Sequence, residues 1–178
     1  WMTAAPDGLR AVFQAAGKIW ISGPPSSTPR RLTPSSFGQL ELSPAWSPDG
    51  LWIAFTTWDG KERGHIWKVS AEGGEPKRLT REAGEYVNPS WSLDGKQIIV
   101  TRGDGATARG HFWAQIQRFE LVRLPDTGGE LTPVITVNDD GRGQIVRASL
   151  DAEQRVYYVE SVRGAGGVQL KSVKLDGS

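Results

Sequence analysis

Cysteine is absent from this chain, and histidine and methionine nearly so, with two of the first and one of the second. Without thiols there can be no disulfide, no cysteine nucleophile and no cysteine metal site, although this absence does not choose between a reducing and an oxidising compartment. No apolar run reaches the roughly 18 residues of a spanning helix. The opening "WMTAAPDGLR" has neither the basic nor the apolar region of a secretory leader. A charge excess is missing too: 21 Lys and Arg stand against 20 Asp and Glu, interspersed along the chain. Such a balance offers no field for nucleic acid or an anionic membrane, so neither is an expected partner. Catalytic signatures are lacking as well. There is no Gly-x-Ser-x-Gly elbow, no His-Glu-x-x-His and no glycine-rich phosphate loop. Nothing in the sequence calls for a cofactor.

What the chain does have is self-similarity. The segment "PAWSPDGLWIAFTTWDG" at 44–60 matches "PSWSLDGKQIIVTRGDG" at 89–105, and Asp-Gly pairs recur at Asp7-Gly8, Asp49-Gly50 and Asp94-Gly95. A weaker copy, "RASLDAEQRVYYVE" at 147–160, aligns Asp151 with these aspartates. A second landmark follows each copy: "KIWISG" with "RRLT", "HIWKVSAEGGEPKRLT", "ELVRLPDTGGELTPV" and "QLKSVKLDG". Within one copy, Pro44–Ser47, "LWIAFTT" at 51–57, "HIWKVS" at 65–70 and "KRLT" at 77–80 read as four short β-strands. They are rich in β-branched and aromatic residues and are separated by Pro-Asp-Gly and Gly-Gly turns. Helical periodicity is missing throughout. Four strands in about 40 to 45 residues is the spacing of a propeller blade, a small twisted sheet that buries its faces against its neighbours.

The expected fold is therefore an all-β propeller of four-stranded antiparallel blades, with about four blades over 1–34, 35–82, 83–137 and 138–178. The fourth strand of the last blade is expected beyond Ser178. The chain also starts on Trp1 rather than Met, so it is expected to be a piece of something longer.

The pattern "WSPDG…IAF…IW…GGEP.RLT" of residues 46–80, echoed in "WSLDG" at 91–95, resembles the WD-repeat-like blades of TolB and of the tricorn protease propellers. "YVNPSWSLDGKQIIV" together with "FELVRLPDTGGELTPV" is more loosely similar to the propeller preceding the catalytic domain of some bacterial amidohydrolase-type proteins. The resemblance implies a periplasmic or secreted setting. It also implies a non-catalytic module that scaffolds, gates or docks a protein, a peptide or the catalytic domain of its own parent chain. The metal-binding histidine motifs of those amidohydrolases lie in a separate barrel and are not among these residues. An open arc would leave blade edges unpaired, which makes a homo-oligomer that completes the ring a further expectation.

Two constellations compete for a chemical role. The repeated aspartates sit directly before glycine in two-strand turns, where a carboxylate caps its own backbone. The acidic pair Asp139-Asp140 lacks calcium-loop spacing and reads as a solvated turn. The two histidines occur in nearly identical strings, "RGHIW" at 63–67 and "RGHFW" at 109–113. Arg63, His65, Arg109, His111 and Trp113 would then form one rim able to hold a small anion or, with a third ligand, a metal. Counted back from the glycine pairs the two strings do not align. Blade three holds extra residues after His111, which makes "RFELVRLP" at 118–125 its third strand and "RGHFWAQIQ" an insertion. The repeated tryptophans, Trp20 with Trp67 and Trp46 with Trp91, read as packing between sheets.

Overall fold

The computed structural model describes residues 2–24, 27–103, 118–138, 147–162 and 167–178. They form fifteen strands and, among the described residues, no helix. The first blade comprises β1 (Met2–Ala4), β2 (Ala11–Ala15), β3 (Lys18–Ser22) and β4 (Arg30–Arg31). The second comprises β5 (Leu40–Trp46), β6 (Trp52–Trp58), β7 (Ile66–Ser70) and β8 (Lys77–Arg78). The third is β9 (Tyr86–Trp91), β10 (Gln97–Arg102), β11 (Arg118–Pro125) and β12 (Thr132–Asn138). The fourth shows three strands, β13 (Ser149–Leu150), β14 (Arg155–Val162) and β15 (Gly167–Lys174). Strands follow chain order in every sheet and all pairings are antiparallel.

The middle strands of the second and third blades are buried on both sides because each of those sheets lies between two others. β6 illustrates this: its run Ile53–Thr57 is wholly buried, so both alternating faces must be apolar or satisfied. The core accordingly divides into three clusters, one per blade joint. Val12, Ile19, Ile21 and Leu32 of blade one meet Ile53, Phe55 and Val69 of blade two. Ala54, Ile66 and Leu79 meet Ile98, Val100 and Val122. Ile99, Phe119 and Leu121 meet Val156, Tyr158 and Val173.

The recurring tryptophans cross these joints. Trp46 Nε1 donates to Thr3 O at 3.1 Å, and Trp91 Nε1 donates to Ala45 O at 3.2 Å. In both cases the innermost strand of one blade is tied to the innermost strand of the blade before it. In blade four the equivalent position, set by the pairing Leu150↔Val156 against Trp46↔Ile53, holds Leu150, which has no side-chain N–H to give.

The glycines of the outer turns have a second use besides turning. Gly73, Gly128 and Gly177 have φ of 85°, 89° and 90°, and an added Cβ would stand 3.1, 2.8 and 2.9 Å from the carbonyl oxygens of Leu32, Leu79 and Val134. Each is thus the point at which one blade's outer turn touches the outer strand of the preceding blade. Only glycine combines that φ with that approach.

Candidate functional site

His65 stands at the entry to β7 on the loop between the second and third strands. Its backbone N–H donates to Thr57 Oγ1 at 3.1 Å, and Trp67 Nε1 reaches the same hydroxyl at 3.1 Å. Its ring Nδ1 lies 2.9 Å from Thr80 Oγ1, which also accepts the Ile66 N–H at 3.1 Å. The ring stands edge-on to Trp67 at 6.4 Å. Burial, and secondarily the Arg78 guanidinium, pulls the imidazole below its ordinary value.

Blade one offers a comparison at this position. There Lys18-Ile19-Trp20 replaces His65-Ile66-Trp67, and the fully buried Glu41 carboxylate takes the Ile19 N–H at 2.8 Å and the Thr33 hydroxyl at 2.7 Å. Arg31 Nη2 and Lys18 Nζ stand 3.2 and 3.5 Å from the same carboxylate. At the first joint Glu41 of β5 thus ties β3 to Thr33 after β4, whereas in blade two the Thr80 hydroxyl takes the Ile66 N–H directly and His65 adds a second bond to that hydroxyl.

Arg63, its neighbour on the rim, is exposed at φ 62° and closes the loop through Asp59 N→Arg63 O at 2.9 Å. Gly64 follows it and exchanges two backbone hydrogen bonds with Gly84 of the adjoining blade, at 2.9 and 2.8 Å. Arg109, His111 and Trp113, as well as Asp139 and Asp140, lie outside the described residues. Among the described residues no group of three His, Asp or Glu side chains is placed to hold a metal.

The repeated aspartates are turn caps. Asp49 Oδ1 accepts from Ser47 Oγ at 2.5 Å and Leu51 N at 3.0 Å; Asp94 Oδ1 repeats this with Ser92 Oγ at 2.6 Å and Lys96 N at 3.0 Å. These bonds, the serine hydroxyl first, hold both carboxyls below the usual carboxylate range. Asp7 caps its turn through Leu9 N at 2.8 Å, and Arg10 completes it. Asp151 departs from the alignment drawn from sequence. Its N–H meets Arg155 O, and its carboxylate takes Arg155 N at 2.8 Å. Those are the bonds that Ser47 and Ser92, not Asp49 and Asp94, make in their turns. The fourth turn is one residue shorter, so a carboxylate occupies the serine position.

The inner strands border an axial cleft of about 570 Å³, whose walls include Thr3, Ser43, Trp46, Ser90, Trp91 and Arg147. Two bulges shape it. Ser43 and Asn88 take φ of 51° and 54° directly before Pro44 and Pro89, and the ladders slip there by one residue. Proline cannot donate to a ladder, so it sits at a bulge on an inner edge. The signal for this wall was present in the paired strings "LSPAW" and "VNPSW", but the repeat was read for its turns and tryptophans. The mouth of the cleft on the turn side carries Pro6, Pro48 and Leu93, one from each of three blades.

Four-stranded sheets packed face to face around a cleft of inner strands define a β-propeller segment. More narrowly, its blades are similar to those of TolB propellers. Its structure superposes on the putative TolB from Agrobacterium tumefaciens with a TM-score of 0.73 and 19% identity, over 100% of this chain and 60% of that one. In sequence it is 30% identical over 74 residues to the Tol-Pal system protein TolB of Nitratidesulfovibrio vulgaris, covering 41% of this chain and 17% of that protein. It is also 32% identical over 108 residues to the uncharacterized peptidase YuxL of Bacillus subtilis, covering 54% of this chain and 16% of that protein. The chain thus spans about a sixth of the length of these sequence relatives. No family model matches it.

Proposed function

We propose that this chain is a non-catalytic propeller module that binds a protein or peptide, or docks and gates the catalytic domain of a longer parent of the TolB-like, peptidase or amidohydrolase-associated kind. The observation that carries this reading is the allocation of its polar side chains. Asp7, Asp49, Asp94 and His65, the repeated groups with chemical potential, are all engaged in turns and strand latches. What is left open is the cleft, walled by strand edges, prolines and hydroxyls suited to an extended chain. Inner-strand edges offer backbone groups, and their pockets accept alternate side chains.

An immobilised array of 15-residue peptides of varied charge and apolar content, probed with the purified chain, tests the reading. Specific signals that vanish in Ser90→Arg, which fills the cleft without touching a joint, support it. Signals unchanged by that substitution oppose it. A small-anion or metal site around Arg63, His65, Arg109, His111 and Trp113 is a separate proposal. It would use Nε2 of His65 while Nδ1 keeps its contact with Thr80, and thermal-shift assays with zinc and with inorganic phosphate test it: stabilisation by either supports the site and no shift opposes it.

A further inference from the structure

Aligning the blades on the pairs Phe13↔Trp20 and Phe55↔Trp67 sets Ile21 of blade one level with Lys68 of blade two, and Arg10 level with Trp52. At the second joint this place is filled. Lys68 Nζ lies 4.7 Å from the centre of the Trp52 ring and 2.8 Å from Asp126 of the following blade, and its side chain is 8% exposed. At the first joint Ile21 supplies no such side chain, and a hollow of about 270 Å³ stands beside it. Its walls are Arg10, Ile21, Gly23, Ser27, Thr28 and Arg30 of blade one and Glu72 of blade two. The hollow is thus enclosed by two consecutive blades at an internal joint, whatever adjoins the ends of the chain.

Two guanidiniums are oriented around it without help from the Glu72 side chain. Arg30 Nη1 donates to Glu72 O at 3.1 Å and its Nη2 to Ala71 O at 3.0 Å. Arg10 donates through Nη2 to Gly50 O at 3.2 Å and through Nε to Asp7 at 3.0 Å, and its guanidinium lies 4.9 Å from the centre of the Trp46 ring. The Glu72 carboxylate stands 3.6 Å from Arg10 Nη1 and 3.8 Å from Arg30 Nη2, beyond hydrogen-bond reach, and its side chain is 82% exposed. An ion pair this long and this exposed contributes little, so the carboxylate is free to swing into solvent. Asp7 offsets the charge of Arg10, whereas the one ion pair of Arg30 among the described residues is with Glu72. Turning Glu72 outward therefore leaves a net positive hollow. Ser27 Oγ, which accepts the Gly23 N–H at 2.8 Å, keeps its own proton to give.

We propose that this hollow binds a small anion, through a phosphate or a carboxylate group, between Arg10 and Arg30, and that Glu72 is the internal carboxylate it displaces. The planar fork of arginine meets two oxygens of either group at once. Both forks are already held by backbone carbonyls, which lowers the ordering cost of binding. The Ser27 hydroxyl adds a donor, and the buried Ile21 closes the floor. The site is distinct from the rim at His65, which stands at the entry to the third strand of its blade, whereas this hollow adjoins the end of β3.

Heteronuclear NMR titration of the 178-residue chain with inorganic phosphate and, separately, with succinate, at an ionic strength held constant with sodium chloride, tests the proposal. Saturable shifts are expected in the Nε–H signals of Arg10 and Arg30 and in the Gly23 and Ser27 amides, and the anion that saturates names the chemistry. Glu72→Gln is expected to tighten binding about two- to fivefold by removing the competing carboxylate. Arg30→Gln, also at an exposed position, is expected to weaken it at least about tenfold. Absence of saturation by both anions in the wild type, shifts reproduced by chloride alone, binding that survives Arg30→Gln, or no tightening in Glu72→Gln would each overturn it.

Discussion

At the residue scale, the described members of the repeated aspartates and histidines make bonds within turns and between strands. His65 is the clearest case, and its titration gives a direct check. Its imidazole is held neutral, with a pKa below the ordinary 6.5. The folded state therefore binds fewer protons there than the unfolded state, and stability is full above the ordinary value and declines as pH falls below it. Urea midpoints measured from pH 8 downward should show this decline, and His65→Asn should be less stable at pH 8 while losing it. The turn carboxylates of Asp49 and Asp94 are depressed from 3.8, so their contribution is lost only in a more acidic window. The two limbs separate on one titration. Trp91→Phe tests the joint itself. It removes the indole donor from the partly buried Ala45 carbonyl and should cost about 0.5–1.5 kcal/mol in urea unfolding.

At the scale of elements, the glycine turns are joints as much as turns. Gly128→Ala forces φ 89° on a residue with a Cβ and drives that atom to 2.8 Å from Leu79 O. Thermal unfolding should register a loss of about 1–3 kcal/mol. Gly38→Ala, with open space around it, should stay within about 0.5 kcal/mol. Such turns explain what could be read in advance. Asp-Gly, Gly-Gly and the alternation of Trp, Ile and Val are local signals, and they were enough for the blades and for β11 at Arg118–Pro125. The latch of Glu41 onto Thr33 and Ile19, the reach of Trp91 to Ala45 and the contact of Gly128 with Leu79 join residues that only the stacking of sheets brings together. Blade four was aligned on its aspartate because a one-residue shortening of a turn leaves no mark when a single acidic residue is the guide. The cleft wall was legible in principle, since Ser-Pro and Asn-Pro recur at one place in two inner strands. The rim at Arg63 and His65 was only half approached, its blade-three partners lying outside the described residues.

At the scale of the whole molecule, the described residues form a row of sheets held by three similar apolar joints, with a cleft along the inner strands. Among the described residues, Asp7, Asp49, Asp94 and His65 are absorbed into this construction. The proposed reading is that such a module acts by what it binds and positions, and the fold alone does not name its partner. The most direct test of that central claim is turnover by the purified chain on a panel of amide and ester substrates. The account predicts no hydrolysis above buffer for the wild type. Hydrolysis that disappears in a His65→Ala variant of native circular dichroism would contradict it.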